Sequence, residues 1–218
     1  MRYERKIPIE GYSDSQIENL IKLHPQCFKE IFFERRINNI YFDDLNNSAL
    51  NDNIDGRDRR VKYRLRWYGE HFGIIEPTLE LKIKIGPVGY KRSFKLDKVF
   101  LPKEFENSYI KSYILNSDIP KDVLEGIINS HPVLFNSYLR KYFLSFDNKF
   151  RITLDKNIEY AKIEKGLSFR NNFGEDLLVV EIKYDSEDEQ KASNVINQFP
   201  FRIDKNSKFV NGVMQVQY

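Results

Sequence analysis

The sequence has one cysteine, Cys27, and only three histidines, His24, His71 and His131. A single cysteine cannot form a disulfide within the chain, which excludes a disulfide-stapled secreted fold and favours a reducing, cytoplasmic location. The histidines do not have the spacing of zinc ligands, so a His/Cys zinc site is not expected. Any bound metal is expected to have oxygen ligands, which suits Mg²⁺ or Mn²⁺.

Long apolar segments are also missing. No run reaches the roughly 18 apolar residues that a membrane-spanning helix needs, and the N-terminus lacks the apolar core of a signal peptide. We therefore expect no membrane segment. The chain has no internal repeat, low-complexity segment or Gly/Ser-rich linker. Its length suits one large domain, which is predicted over residues 1–218.

An excess of charge of one sign is absent as well. The 35 Lys and Arg residues are nearly balanced by 32 Asp and Glu residues, which gives a formal net charge of +3. Hydrophobic residues make up 41% of the chain, and this is enough for a sizeable core. If the protein binds an anion, the fold must therefore concentrate positive charge on one surface.

Alternating apolar and polar residues predict many strands, with a few helices. Strands are predicted at 3–9, 37–43, 60–67, 78–85, 90–96, 138–146, 150–154 and 177–184, with a last strand from Lys208 onward and a tight turn at 86–89. Helices are predicted behind a capping box at Ser13 and Gln16, at 118–128, and at 186–196 behind a Ser186–Glu189 cap. Residues 46–58 are predicted as a loop. The pattern indicates a mainly antiparallel β fold with helices, of the α+β class, arranged as a barrel or sandwich.

The polar faces of these strands carry mostly cations. Successive strand residues point to opposite sides, so the apolar residues of 60–67 alternate with Arg60, Lys62, Arg64 and Arg66. In the other strands, alternation sets the following side chains opposite the apolar ones: Glu4, Lys6, Glu80, Lys82, Lys84, Lys91, Ser93, Lys95, Arg151, Thr153, Asp155, Glu181 and Lys183. Two interpretations stay open, because such faces either meet water, as is common in antiparallel sheets, or line an interior.

The expected packing of the helices favours the second interpretation, in which the cationic strand faces line an interior. Amphipathic helices have to pack on the apolar strand faces, and if they cover a barrel from outside, the cationic faces point inward. Like charges confined in this way repel strongly and are tolerable only in a wet tunnel that receives a polyanion. Many Arg and Lys residues with few carboxylates then fit phosphate together with a divalent metal.

Short motifs with these residues occur in order along nearly the whole chain: Glu4-Arg5-Lys6, Ile40-Tyr41-Phe42-Asp43, Tyr63-Arg64-Leu65-Arg66-Trp67-Tyr68, Leu79-Glu80-Leu81-Lys82, Lys91-Arg92, Tyr138-Leu139-Arg140-Lys141, Arg151-Ile152-Thr153-Leu154-Asp155, Val180-Glu181-Ile182-Lys183 and Ser207-Lys208-Phe209. With them the chain resembles the VTC (vacuolar transporter chaperone) catalytic domain, the polyphosphate polymerase branch of the triphosphate tunnel metalloenzymes. The resemblance implies an eight-stranded β-barrel tunnel with helices packed outside. In one departure, Arg2 stands at the first acidic position of the superfamily pattern E-x-E-x-K.

The resemblance also implies functional residues. The side chains that would contact phosphate are Lys6, Arg64, Arg66, Lys82, Lys91, Arg140, Arg151 and Lys208. Those that would hold the nucleotide triphosphate are Arg64, Arg66, Lys82, Lys91 and Arg151. Glu181 would hold the divalent metal, Mn²⁺ or Mg²⁺. Strand alternation independently sets most of these residues on cationic faces, whereas Arg140 and Lys208 rest on the resemblance alone.

The implied enzyme is a metal-dependent phosphotransferase that moves the γ-phosphoryl group of ATP, or of another triphosphate, onto polyphosphate. Two alternatives stay open: a triphosphatase or polyphosphate hydrolase that activates water through Glu4 or Glu80, and a non-catalytic polyanion-binding module. Nucleic acid is not an expected partner, because Tyr63 and Trp67 fall on the apolar face, away from the cations. The oligomeric state stays open.

Overall fold

The computed structural model describes residues 2–86, 88–164, 166–169 and 177–217. Its strands are β1 (Arg2–Ile9), β2 (Lys29–Asp43), β3 (Arg59–Tyr68), β4 (Gly73–Ile75), β5 (Thr78–Ile85), β6 (Val88–Lys95), β7 (Val99–Leu101), β8 (His131–Leu144), β9 (Arg151–Glu164), β10 (Gly166–Phe169) and β11 (Leu178–Asp185). Its helices are α1 (Asp14–Lys22), α2 (Ser48–Ile54), α3 (Asn107–Leu115), α4 (Lys121–Ile128), α5 (Glu189–Asn197) and α6 (Lys208–Gln217).

Hydrogen bonds join eight strands in the order β1-β11-β9-β8-β2-β3-β5-β6. Strand β10 also pairs with β9, and β4 pairs with β7 in a separate two-stranded sheet. Strand β11 is antiparallel to both β1 and β9, and β3 and β5 are antiparallel to their neighbours β2 and β6 and to each other. The mainly antiparallel α+β class is therefore confirmed. Among the described residues no pairing joins β6 to β1, and the closed barrel is therefore not confirmed.

The described chain divides into two compact units. The first unit lies within Met1–Arg35, Tyr138–Ile158 and Asn172–Asn206, and the second within Arg36–Ser137, Glu159–Asn171 and Ser207–Tyr218. Each unit has a hydrophobic cluster of its own. The functional residues are therefore described below unit by unit.

In the first unit, β1, β9 and β11 turn their apolar faces toward helices. Ile7, Ile152 and Ile182 are fully buried in one cluster. Helices α1 and α5 add to this cluster Ile17, Ile21, Ala192, Val195 and Ile196. The capping box predicted for α1 is confirmed, since Ser13 Oγ accepts from Gln16 N at 3.3 Å and Gln16 Oε1 accepts from Ser13 N at 2.8 Å. Helices thus cover the apolar face of this unit, as predicted.

The second unit repeats this arrangement with β3 and β5. Leu65, Trp67 and Leu79 are fully buried, and the alternation of β3 places Arg64 and Arg66 on the opposite face. Helices α3 and α4 pack on the apolar side through Ile110, Ile114, Val123 and Ile127. The two faces predicted for the strand at 60–67 are therefore present.

Helix α6 replaces the strand that was predicted from Lys208 onward. Its buried residues recur at helical spacing: Phe209, Gly212, Val213 and Val216. The Phe209 ring lies 5.2 Å from the ring of Tyr41, centroid to centroid. Tyr41 is directly opposite Arg64 in the β2–β3 register, so α6 packs on the cationic side of the sheet in this unit.

Other local predictions were wrong for identifiable reasons. The predicted loop 46–58 contains α2, because the Asp43 carboxylate accepts from the backbone N–H groups of Ala49 and Leu50 at 2.8 and 2.9 Å and so satisfies the first turn. Helix α5 is not capped by a Ser186 side chain, since a 3₁₀ turn (Ser186–Asp188) precedes it.

The turn predicted at 86–89 begins with Gly86 at φ 57°, a left-handed conformation that suits glycine, but Pro87 lies outside the described residues. Helix α3 was not predicted. Within the described ranges, no helix is long and apolar enough to cross a membrane.

Candidate anion-binding site

The second unit gathers three cations around one buried carboxylate. Arg64 Nε lies 2.6 Å and Arg66 Nε 3.8 Å from the carboxylate of Glu80 on β5. On the neighbouring strand β6, Lys91 Nζ lies 2.7 Å from the same carboxylate. The Glu80 side chain is only 5% exposed. These cations therefore share a charge partner that is fixed inside the fold.

The surrounding charges keep Glu80 ionised. Burial by itself raises the pKa of this carboxyl, but Arg64, Arg66 and Lys91 outweigh burial and lower the pKa from 4.5 to about 2. A carboxylate with such a pKa is a weak proton acceptor near neutral pH. Glu80 is therefore suited to holding cations in place and poorly suited to activating water.

Three lysines lie side by side on this face. In the strand registers, Lys62 of β3 is opposite Lys82 of β5, and Lys82 is opposite Lys91 of β6. Like charges directly opposite each other in a sheet are destabilising. Lys62 Nζ also donates to Ser207 Oγ at 3.4 Å and lies 5.1 Å from the centroid of the Phe209 ring. A bound polyanion would relieve the repulsion along this lysine row.

Residues around this face position its arginines and connect it to α6. Arg66 Nε donates to Asn39 Oδ1 at 2.9 Å, so the guanidinium is fixed from β2 as well as from Glu80. Lys208 is the first residue of α6 and is half-buried. It directly follows Ser207, the residue that Lys62 contacts. The second unit thus carries Arg64, Arg66, Lys82 and Lys91 on one face, with Lys208 beginning the helix beside it.

In the first unit, Arg140 is held by two carboxylates. Its Nε and Nη2 donate to the two carboxylate oxygens of Asp155 at 2.5 and 2.7 Å, and Nη2 lies 3.5 Å from Glu181. Burial alone lowers the pKa of Arg140, but the charge of Asp155 outweighs burial and raises it. Arg140 is therefore a permanently charged residue whose fork already binds a carboxylate.

Glu181 lies at the centre of the polar face of β11. In the registers it is opposite Lys6 of β1 and Thr153 of β9. Lys183 Nζ lies 2.7 Å from the Glu181 carboxylate. Burial raises the pKa of Glu181, but Lys183, Arg140 and Lys6 together lower it well below its usual range. Glu181 is therefore an ionised ligand candidate.

Lys6 and Arg151 flank this carboxylate. Lys6 Nζ donates to the backbone oxygen of Asn206 at 3.0 Å and lies 3.2 Å from Glu4 Oε1. Arg151 is opposite Lys183 in the β9–β11 register and is exposed. The first unit thus brings Lys6, Arg140 and Glu181 together, with Arg151 on the same face.

The donor set of this unit fits a hard divalent metal. Lys183 Nζ lies 3.8 Å from Glu4 Oε2 as well as 2.7 Å from Glu181, so two carboxylates meet at one ammonium group. No group of three or more His, Cys, Asp or Glu side chains suited to a metal is found in the described part of the chain. Mg²⁺ is commonly held by one or two carboxylates, with phosphate oxygens and waters as its other ligands. Glu181 and Glu4 fit that pattern.

The sequence predicted the cationic side chains but not the buried carboxylates that pair with them. Alternation set Glu80 and Asp155 on the cationic faces without showing that each would be buried and ion-paired. Burial depends on which elements cover a face, and this is a tertiary property. The convergence of the residues of both units in one tunnel stays a prediction.

The fold and the site define a mainly antiparallel α+β protein whose strands hold Arg and Lys side chains against buried carboxylates. Within this class, the VTC domain model matches residues 3–217, and the chain belongs to the VTC domain family, as its motifs predicted. The fold is similar to the X-ray structure of a Vibrio parahaemolyticus protein provisionally assigned as an adenylate cyclase, with a TM-score of 0.55 and 13% identity over 98% of each chain. Identity this low shows a shared fold alone. No curated protein matches the chain.

Proposed function

We propose that the protein is a metal-dependent phosphotransferase of the polyphosphate polymerase type, which transfers the γ-phosphoryl group of ATP to a polyphosphate chain. Membership of the VTC domain family supports triphosphate binding and phosphoryl transfer. The observation that carries the proposal is the lysine row Lys62, Lys82 and Lys91. Like charges directly opposite each other are destabilising, and a phosphate chain bound along the row would offset their repulsion.

The reaction needs positioning and charge neutralisation. A terminal oxygen of the acceptor phosphate attacks the γ-phosphorus, the bond from that phosphorus to the β,γ-bridging oxygen breaks, and ADP leaves with the electron pair. The attacking oxygen is already an anion, so no general base is required. Arg64 and Arg66, fixed by Glu80, would hold non-bridging oxygens and stabilise the charge of the transition state.

A divalent metal would be held by carboxylates of the first unit. Glu181, with Glu4 as a second carboxylate, would hold Mg²⁺ or Mn²⁺, which supplies charge neutralisation on the transferred phosphoryl group. Lys183, Arg140 and Lys6 lower the pKa of Glu181 and keep this ligand candidate ionised. A single tunnel domain over 1–218, closure of the barrel and a cytoplasmic location belong to the same proposal.

The hydrolase alternative has less support from the charges. Glu80 is tied to three cations and has a pKa of about 2, so it is a poor base for activating water. A non-catalytic binding module would bind the same polyanions as the proposed enzyme but would not convert them to products. An assay of products therefore separates all three functions.

The decisive experiment incubates the protein with ATP and Mn²⁺ and measures polyphosphate, ADP and free phosphate separately. We expect polyphosphate and ADP in step, with little free phosphate. Free phosphate without polyphosphate would identify a hydrolase, and the absence of all products alongside measurable ATP binding would identify a binding module.

Two matched pairs of variants attribute turnover to the site. Lys82→Ala is expected to lower it at least about tenfold by removing the centre of the lysine row, whereas Lys121→Ala, at an exposed position on α4, leaves it unchanged. Glu181→Gln keeps the side-chain volume and is expected to abolish metal-dependent turnover, with exposed Glu125→Gln as its control. Normal turnover of Glu181→Gln would show that Glu181 is only a charge partner.

A further inference from the structure

The ammonium group of Lys183 lies where two carboxylates of the first unit meet. Its Nζ is 2.7 Å from Glu181 Oε1 and 3.8 Å from Glu4 Oε2. In the β1–β11 register, Glu4 is directly opposite Lys183 and Lys6 is directly opposite Glu181, so positive and negative side chains alternate on this face. A divalent metal held by both carboxylates would need the position that the ammonium group takes, because two cations at one pair of carboxylates repel each other.

Two other cations beside Glu181 are fixed by further partners. Arg140 donates to both carboxylate oxygens of Asp155, and Lys6 Nζ donates to the backbone oxygen of Asn206. Moving Arg140 would leave the buried Asp155 carboxylate without this donor, and moving Lys6 would break a hydrogen bond that does not involve Glu181. Neither of these cations is easily displaced.

Lys183 differs from both of them in its exposure and its neighbours. Its side chain is 37% exposed, against 7% for Glu181, so the ammonium group can reach water while the carboxylate stays in place. In the β9–β11 register Lys183 is directly opposite Arg151, and like charges in that arrangement are destabilising. A lysine carries its charge on a flexible stem of four carbons. Lys183 is therefore the cation that can move away from Glu181.

We infer that Lys183 is an internal competitor for the divalent metal: its ammonium group neutralises Glu181 and Glu4, and the metal binds by displacing it toward solvent. The inference rests on the proposed function, because it assumes that these two carboxylates hold the metal. Breaking the ion pairs of Lys183 lowers the affinity for the metal ion. Lys183 thus determines the metal concentration at which the site fills.

The first test measures the binding of Mn²⁺ alone, without nucleotide or phosphate, from the electron paramagnetic resonance signal of the free ion. Lys183→Met keeps an apolar stem, removes the ammonium group and leaves Arg140 and Lys6 beside Glu181. We expect the dissociation constant for Mn²⁺ to fall at least about fivefold, because a unit charge about 4 Å from a divalent ion repels it by at least this factor even in water. Lys183→Arg keeps the positive charge and should not tighten binding.

The second test follows the Lys183 side chain itself. Acylation of lysine amines is measured by mass spectrometry with and without Mn²⁺. We expect Mn²⁺ to speed the labelling of Lys183, because the displaced amine reaches solvent. Glu181→Gln removes the carboxylate at nearly constant volume and should abolish this effect of Mn²⁺.

Lys191, at an exposed position on α5, is the matched control in both tests. Lys191→Met should keep the wild-type affinity for Mn²⁺, and the labelling of Lys191 should not respond to Mn²⁺. Unchanged or weaker Mn²⁺ binding in Lys183→Met, or unchanged labelling of Lys183, would overturn the displacement, and Mn²⁺ binding that depends on Glu181 would still support the proposed metal site. If neither the wild type nor Lys183→Met bound Mn²⁺ more tightly than its Glu181→Gln derivative, the metal site of the proposed function would fail, and the inference with it.

Discussion

Glu80 links the stability of the protein to pH through a single side chain. Its pKa falls from 4.5 in the absence of partners to about 2 in the folded protein, so folding favours its ionised form. The stabilisation is fully present above pH 4.5 and is lost as the pH falls through 4.5 toward 2. The shift corresponds to about 3 kcal/mol.

We therefore predict that Glu80→Gln flattens the acid limb of the stability profile. Urea unfolding of the wild type should show a free energy of unfolding that falls by about 3 kcal/mol more than that of the variant over this window. Near neutral pH the variant should be less stable, because Arg64, Arg66 and Lys91 lose their buried anion. Glu30→Gln, at an exposed position, should keep the wild-type slope. Parallel profiles for wild type and Glu80→Gln would contradict the assignment.

For single residues, strand alternation predicted the face of the sheet but not the burial of the side chain. The face to which Arg64, Glu80 and Glu181 belong follows from a period of two along a strand. Whether a carboxylate on that face is solvated or buried depends on which other elements cover the face. The sequence therefore indicated strongly repelling cations, whereas the structure has cations held at hydrogen-bond distance from Glu80 and Asp155.

At the scale of elements, α6 depends on close approach at Gly212. A Cβ atom at this position would lie 2.6 Å from Leu134 Cδ2 and closer still to the ring of Tyr160. Helix propensity alone favours Ala over Gly by about 1 kcal/mol, but overpacking costs about 1–3 kcal/mol. We predict that Gly212→Ala lowers the melting temperature and exposes α6 to limited proteolysis.

Gly89→Ala, on β6, is the control for adding a methyl group where there is room for it. A Cβ atom there would meet only Ile83 O, at 3.8 Å, an ordinary contact distance. The variant should therefore melt close to the wild type and keep its proteolytic pattern. Equal stability of Gly212→Ala and the wild type would mean that α6 can shift away from Tyr160 at little cost.

The elements differ in how much local signal they carry. The capping box of α1 and the alternation of β3 and β5 depend only on residues that are close together in the sequence, and both were predicted. The helical spacing of Phe209, Val213 and Val216 is also present in the sequence, but the strand predicted from Lys208 onward did not take it into account. That α6 packs on the cationic side depends on contacts with Tyr41 and Tyr160, which are distant in sequence.

For the whole molecule, a ligand that binds only the folded state must stabilise it. Tripolyphosphate at about 100 times its dissociation constant should add about 2.7 kcal/mol to the free energy of unfolding, which is several degrees in melting temperature. The gain should shrink with added salt, which screens the partly exposed cations. Lys82→Ala should reduce the shift and Lys121→Ala should not. A shift of equal size in both variants would exclude the lysine row as the binding surface.

The carboxylates of Glu80, Asp155 and Glu181 act as built-in counterions. Around a bare cluster of lysines and arginines, mobile anions from solution would gather and would be released when a phosphate chain arrives. Here part of that atmosphere is replaced by groups that are covalently part of the chain and cannot leave. The affinity for phosphate should thus fall with salt less steeply than the number of Arg and Lys residues implies. An anion that follows charge alone, such as nucleic acid, gains correspondingly little entropy at these faces.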